Sequence, residues 1–257
     1  MCASLRMRTS ALASALLDLV LAPVCLGCRG ALTPEDPARP VCRRCRSLLA
    51  PPAPPLCQRC GAPLLLTGRN EGTRCPDCRA WPPSLRFARS ACLYQPPADR
   101  LVHALKYQGW SLVAAVLARR MTQVVLPDEV NLEARLCIPV PTTRARRRQR
   151  GYDQAWLLAG AFAALTGRTA AQALLRMGNS VTQTALQPIA RGANVAGGFR
   201  VDERFTPSVA GAHVLLVDDV LTTGATAIEC ARTLVGAGAR CVSLITFARA
   251  LVARSRT

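Results

Sequence analysis

Residues 214–226 read Val-Leu-Leu-Val-Asp-Asp-Val-Leu-Thr-Thr-Gly-Ala-Thr. Val214 to Val217 form a continuous apolar run, the pattern of a strand covered on both faces. Two acids follow, Asp218 and Asp219, then Val220 and Leu221. Thr222-Thr223-Gly224-Ala225-Thr226 leads from there into a helical pattern over Ile228 to Val235. A small-residue loop at a helix N-terminus suits a phosphate, because the first N–H groups of the helix lack intrahelical acceptors and the dipole favours negative charge. Gly224 allows close backbone approach, and the threonine hydroxyls are short donors. Two carboxylates beside such a cradle would repel a bare anion, but they accept hydrogen bonds from vicinal sugar hydroxyls. A ribose 5-phosphate group fits both halves. The competing reading is a buried strand ending in two solvated aspartates, with Thr223 as a helix N-cap.

A second chemistry is written in cysteine. Eight of the thirteen cysteines form four Cys-x-x-Cys pairs: Cys25 and Cys28, Cys42 and Cys45, Cys57 and Cys60, Cys75 and Cys78. Thiolates at this spacing select Zn²⁺, and four of them make a closed structural site with no open catalytic position. Two Zn²⁺ are expected. The pairing is sequential or a cross-brace of first pair with third. The stretch is Pro-rich and lacks apolar periodicity, so metal binding must supply its folding energy. Reduced thiolates imply the cytoplasm. Cys92, Cys137, Cys230 and Cys241 stand singly in apolar contexts and read as buried small hydrophobes.

The chain of 257 residues allows one large domain or two smaller ones. Half of it is hydrophobic but only 4% is aromatic, so the core must be built mostly from Leu, Val and Ala. The formal net charge is +18. Loading eight thiolates with two Zn²⁺ changes this by −8 and +4, leaving +14. Lys106 is the single lysine; arginine carries the rest. Such a balance implies anionic substrates or a polyanionic partner, with an arginine-favouring genome as the plainer source. Leu12, Leu16, Leu19 and Val20 are spaced for a short amphipathic helix over residues 1–24; Asp18 interrupts what would otherwise pass for a signal peptide. No stretch approaches the ~18–20 apolar residues of a membrane helix, so no membrane span is expected.

These groups need elements to position them. Residues 25–80 are the cysteine module and 81–257 a second domain. Phe87–Tyr94, Arg135–Val140, Val214–Val217 and Cys241–Phe247 read as strands. Asp99–Tyr107, Ser111–Val124, Gly151–Leu165 and Thr226–Gly236 read as helices. Residues 178–198 have no period and read as a long loop, the kind that serves as an active-site lid. Strands alternating with helices predict an α/β fold with a parallel sheet covered on both faces. Ligands of such sheets bind beyond the carboxyl ends of the strands, where Asp218 and Asp219 are expected. Arg144-Ala-Arg-Arg-Arg-Gln-Arg150 follows a strand end and reads either as a phosphate grip or as a solvated basic loop. His103 and His213 read as structural.

Residues 214–226 resemble the phosphoribosyl pyrophosphate (PRPP) motif of type I phosphoribosyltransferases at all thirteen positions. Three further stretches extend the resemblance: His103 to Gly109; Pro139-Val-Pro141 with Arg144 to Gln154; and Thr182-Gln183-x-x-Leu186 with Arg191, Asn194, Gly198 and Phe199. With the cysteine module, the chain resembles the competence protein F family (ComF, GntX-like). That family pattern reads Arg-Gly-Phe-Asn-Gln where this chain has Arg150-Gly-Tyr-Asp-Gln154. The resemblance implies a type I phosphoribosyltransferase domain behind a double zinc ribbon, and a role in competence and DNA uptake. It implies PRPP bound with Mg²⁺: Asp218 and Asp219 on the ribose hydroxyls, Val220 to Thr226 around the 5-phosphate, Lys106 and Arg150 near the pyrophosphate, Thr182 and Gln183 in the lid.

Two functions follow as expectations. One is phosphoribosyl transfer, a glycosyltransferase reaction. The other is a non-catalytic module that senses a nucleotide, or binds single-stranded DNA and competence proteins, with the same fold. Scarce aromatics weaken the second, since single-strand binders stack bases on rings; Trp81, Phe87, Tyr107, Trp110 and Tyr152 are the few available.

Overall fold

A computed structural model describes residues 23–32, 40–64, 75–107, 111–177 and 198–251. The expectations for an N-terminal helix, for Trp110 and for the loop carrying Thr182 and Gln183 fall outside these residues. The strands are β1 (Leu85–Leu93), β2 (Leu136–Pro139), β3 (Thr169–Ala170), β4 (Leu174–Arg176), β5 (Phe199–Val201), β6 (His213–Leu221) and β7 (Cys241–Arg249). The helices are α1 (Arg43–Ser47), α2 (Pro76–Arg79), α3 (Ala98–Tyr107), α4 (Val113–Met121), α5 (Asp128–Glu133), α6 (Arg144–Arg150), α7 (Gln154–Thr166), α8 (Thr206–Val209) and α9 (Ala225–Gly236). Five strands form one parallel sheet in the order β1-β7-β6-β2-β3, and β4 and β5 pair antiparallel beside it. The predicted parallel α/β architecture is the one found.

Side-chain alternation along the strands builds two cores. Leu215, Val217, Ile245 and Phe247 face α3, α4 and α7. Val214, Leu216, Val242 and Leu244 face α9 and Phe199 of β5. The cysteine module divides between the cores: Cys25 and Cys45 join the first, while Cys57, Cys60, Cys75 and Cys78 join the second.

The cysteines pair sequentially, not as a cross-brace. Cys25, Cys28, Cys42 and Cys45 form one cluster and Cys57, Cys60, Cys75 and Cys78 the other, with all sulfurs of a cluster within 4.8 Å of one another. The two halves repeat one backbone. The Cys25 N–H donates to Gly30 O at 2.8 Å, and the Cys57 N–H to Ala62 O at 2.7 Å. The fourth residue after each first cysteine has a positive φ, 62° at Arg29 and 68° at Gly61. In each half the N–H of the third cysteine donates to the first cysteine's sulfur, Cys42 to Cys25 at 3.3 Å and Cys75 to Cys57 at 3.2 Å. Converging sulfurs already accepting N–H bonds are ready-made thiolate ligands, so both clusters fit structural Zn²⁺.

The module also closes the sheet. β1 is an edge strand, and an open edge leaves N–H groups unpaired. The Ala88 N–H donates to Arg59 O at 2.8 Å and the Leu93 N–H to Ala50 O at 3.2 Å. Arginines complete the seam. Arg59 donates to the carbonyls of Cys78, Trp81, Pro82 and Leu85 at 2.7–3.1 Å. Arg89 reaches Gln58, Arg100 reaches Gly27, and Arg120 reaches Leu49.

Several helices depart from the sequence reading. α1, α2, α5 and α8 were not expected. The basic run 144–150 is α6 rather than a loop: arginine is a good helix former, Thr143 Oγ1 caps the Arg146 N–H, and Gly151 at φ 77° ends the helix with its N–H on Arg147 O. Gly151 therefore closes one helix instead of opening the next. α7 begins at Gln154, capped by Asp153 on the N–H groups of Ala155 and Trp156.

Arg59→Ala strands four carbonyls at the seam and is expected to cost about 2–4 kcal/mol in a denaturant titration. Arg119→Ala, on the exposed face of α4, should stay within about 0.5 kcal/mol. Stripping zinc with a chelator should lower Tm by more than either substitution.

Candidate functional site

β2 and β6 are neighbours whose onward connections run to opposite sides of the sheet, β2 through α7 to β3 and β6 through α9 to β7. Such a reversal opens a crevice at the strand ends. Pairing of β6 with β2 stops at Pro139 opposite Val217, while pairing with β7 continues to Leu221 opposite Arg249. The strand runs on through the acidic pair rather than ending at Val217, because β7 supplies partners for Asp218, Val220 and Leu221. Asp218 and Asp219 thus lie within β6 but beyond the end of β2.

Strand alternation sends the two carboxyls to opposite faces. Asp219 is buried, its Oδ1 lies 2.7 Å from Lys106 Nζ, and its Oδ2 has no partner among the described residues. Asp218 is half-buried, and its Oδ1 accepts the Asp219 N–H at 2.8 Å. Burial, reinforced by the neighbouring Asp219 charge, pushes the Asp218 carboxyl up to about 8. Near neutrality it therefore holds a proton and can donate a hydrogen bond as well as accept one.

The loop after β6 is set by Gly224, which occupies the α9 N-cap at φ 86°. That takes the position the competing reading gave to Thr223. Thr223 Oγ1 accepts the Ala225 N–H at 3.4 Å. Thr222 and Thr223 are exposed, and among the described residues no acceptor meets the N–H groups of Thr226 and Ala227. Val220 and Leu221 take a different part: Leu221 is buried, and its carbonyl accepts the Ala250 N–H at 2.9 Å.

Gly224 is also the point where the cysteine module reaches the loop. A Cβ there would lie 2.9 Å from Trp81 Cζ2. Trp81 is buried, and its N–H donates to Cys78 O, so one short segment links the second cysteine cluster to the loop. Arg249, at the end of β7, adds a second link by donating to Cys60 O at 2.9 Å. Neither link was read from the sequence. A lone arginine closing the apolar run of β7 was the available signal; for Trp81 there was none beyond its place after the last cysteine.

Lys106 and Arg150, far apart in sequence, meet at the last turn of α3. Lys106 pairs with Asp219, the Arg150 guanidinium stands 4.9 Å over the Tyr107 ring, and the Tyr152 hydroxyl donates a short bond to Leu105 O. Nε and Nη1 of Arg150 are buried without a partner among the described residues. Its place differs from that expected: it ends α6, at the negative end of that helix, instead of starting α7. His213 is buried between Glu133 and Ser243, as a structural histidine should be, and His103 packs on Tyr107. Cys92, Cys137, Cys230 and Cys241 are buried free thiols. Of the stacking aromatics within the described residues, only Tyr107 is fully open, at 60% exposure.

The double zinc ribbon domain family matches residues 16–79, and the phosphoribosyl transferase domain family matches residues 171–256. The chain is 33% identical over 200 residues to the DNA utilization protein YhgH of Salmonella typhimurium, covering 76% of this chain and 85% of that protein. It is 26% identical over 223 residues to the competence protein ComFC of Bacillus subtilis, covering 83% and 85%. It is 28% identical over 239 residues to competence protein F of Haemophilus influenzae, covering 88% and 96%. Among the described residues, no helix is long and apolar enough to cross a membrane.

Gly224→Ala combines a left-handed φ with the Trp81 contact and is expected to cost about 2 kcal/mol or more. Shrinking the partner with Trp81→Leu should recover part of that loss, measured as non-additivity in a double-mutant cycle. For Asp218, the folded carboxyl binds its proton more tightly than the unfolded one. Its contribution to stability is therefore intact below about pH 4 and lost as pH rises toward 8. Asp218→Asn should match the parent near pH 4 and exceed it at pH 9, read from urea titrations at both pH values.

Proposed function

The chain belongs to the competence protein F family, together with the DNA utilization and competence proteins it is similar to, and we propose that it binds PRPP, or another ribose 5-phosphate ligand, with Mg²⁺. One observation carries this reading: an acidic pair stands past the end of β2, beside an open threonine loop at the N-terminus of α9. The loop N–H groups and hydroxyls take the 5-phosphate. Asp218 and Asp219 take the ribose hydroxyls, Asp219 through its unpartnered Oδ2. Lys106 and Arg150 lie on the same side and oppose the pyrophosphate. Thr182 and Gln183 belong to the lid in this reading. Mg²⁺, which enters with PRPP, supplies neutralising charge for the leaving pyrophosphate.

Phosphoribosyl transfer suits these groups. A nitrogen nucleophile forms a bond to C1 of the ribose as the C1–O bond to pyrophosphate breaks. The sugar passes through an oxocarbenium-like state, which Asp219 faces. Lys106 holds Asp219 in place and brings positive charge to the same corner. Asp218, protonated near neutrality, donates to a ribose hydroxyl without adding repulsion toward the phosphates. In this reading the protein works in the cytoplasm, where zinc-ligating thiolates stay reduced.

A second reading rests on the names of the relatives and on the basic surface of α6: the chain serves DNA uptake by binding nucleotides or single-stranded DNA without turnover. Titration calorimetry separates the two. PRPP with Mg²⁺ should bind the zinc-loaded protein, and Asp218→Asn/Asp219→Asn should weaken it at least tenfold. Single-stranded DNA affinity should survive the same substitutions. Failure of the parent protein to bind PRPP would overturn the ribose-phosphate reading.

A further inference from the structure

Beyond β3, at the carboxyl end of the sheet, lies a cavity of about 530 Å³. Its floor is Pro139 and Pro141 after β2, and its walls include Trp156 of α7 and Phe205. Four arginines line it: Arg144 and Arg147 from α6, Arg176 from β4, and Arg204. Only two acids face them, and both are engaged. Asp202 is held by Arg204, with 2.7 Å between Oδ2 and Nη2, and Asp153 caps α7. Arg144, Arg147 and Arg176 have no carboxylate partner among the described residues.

Arg176 is the most constrained of the three. It is half-buried, and its guanidinium stands 5.3 Å over the Phe199 ring. Burial and the nearby Arg146 charge weaken its hold on its proton. A desolvated guanidinium next to further cations is costly unless an anion joins it. α6 sharpens this: Arg144 and Arg147 stand three apart on one helix face, an arrangement that repels. The helix is retained by its caps and would gain from a counter-charge in the cavity.

The volume falls in the range of small-molecule sites and far exceeds an inorganic anion. Trp, Phe and Pro walls suit a flat ring, and a guanidinium fork matches carboxylate or phosphate oxygens in pairs. We propose that this cavity binds a small planar ring bearing an oxyanion, with the oxyanion on Arg176 and the ring between Trp156 and Phe205. The inference does not depend on PRPP binding, since none of the residues assigned to PRPP lines the cavity.

Calorimetry on the full, zinc-loaded chain tests it with matched probes that carry no ribose: orotate against uracil for a carboxylate, and phenyl phosphate against phenol for a phosphate. The charged member of at least one pair should bind at least tenfold more tightly. Arg176→Gln should abolish that advantage, Arg176→Lys should keep part of it, and Arg147→Gln should reduce it. PRPP affinity, measured in parallel, should be unchanged in Arg176→Gln; a loss there would make the cavity part of the PRPP site and overturn the inference. Equal binding of charged and neutral members, no binding by either pair, or an advantage that survives Arg176→Gln would also overturn it. Loss of PRPP binding by the parent protein, with the Arg176-dependent preference intact, would sink the ribose-phosphate reading alone.

Discussion

The free edge of β1 is the constraint on which the rest depends. A parallel sheet must be covered on both faces, and its outer strands must find partners for their backbone groups. Here β1 hands its outward N–H groups to Arg59 O and Ala50 O in the cysteine module. The module's two cysteine clusters fit structural zinc, and the outward N–H groups of β1 depend on the module for their partners. Each of its two clusters seals one of the two cores. Zinc is therefore a component of the sheet's stability as well as of the ribbon's.

That arrangement changes what the net charge means. Six arginines are directed at backbone carbonyls. Arg59, Arg89, Arg100, Arg120, Arg168 and Arg249 all donate to carbonyl oxygens in loops and turns. Such irregular segments lack partners of their own, and a five-donor fork satisfies several carbonyls at once where lysine would satisfy fewer. Other arginines stay exposed, among them Arg29, Arg44, Arg79, Arg119, Arg135 and Arg200. Those near the carboxyl end of the sheet are the α6 arginines, Arg150 included, with Arg176; Lys106 joins them there.

The same seam reaches the loop between β6 and α9. Trp81 leaves the second cluster and packs against Gly224, and Arg249 ties the end of β7 to Cys60. Rigid placement of a phosphate cradle requires that its backbone be fixed before the ligand arrives. In this fold the fixing comes from a metal-stapled segment on the far side of the loop.

The sequence alone determined the parts with strong local signals. Eight cysteines in four pairs defined the metal clusters, and residues 214–226 defined strand, acids, loop and helix, because each rests on neighbours within a few positions. It left open what depends on long-range partners. Sequential pairing of the cysteines was decided by how the two ribbon halves pack. The extension of β6 through its acids was decided by the length of β7, and the α6 helix by caps whose effect a charge run hides. Lys106 could be named from the sequence, but its pairing with Asp219 required α3 to cross the end of the sheet. Arg249, Trp81 and Arg176 owe their roles to contacts across spans as long as 189 residues. Residue spacing carries no record of such contacts, because burial and charge compensation are properties of the packed chain.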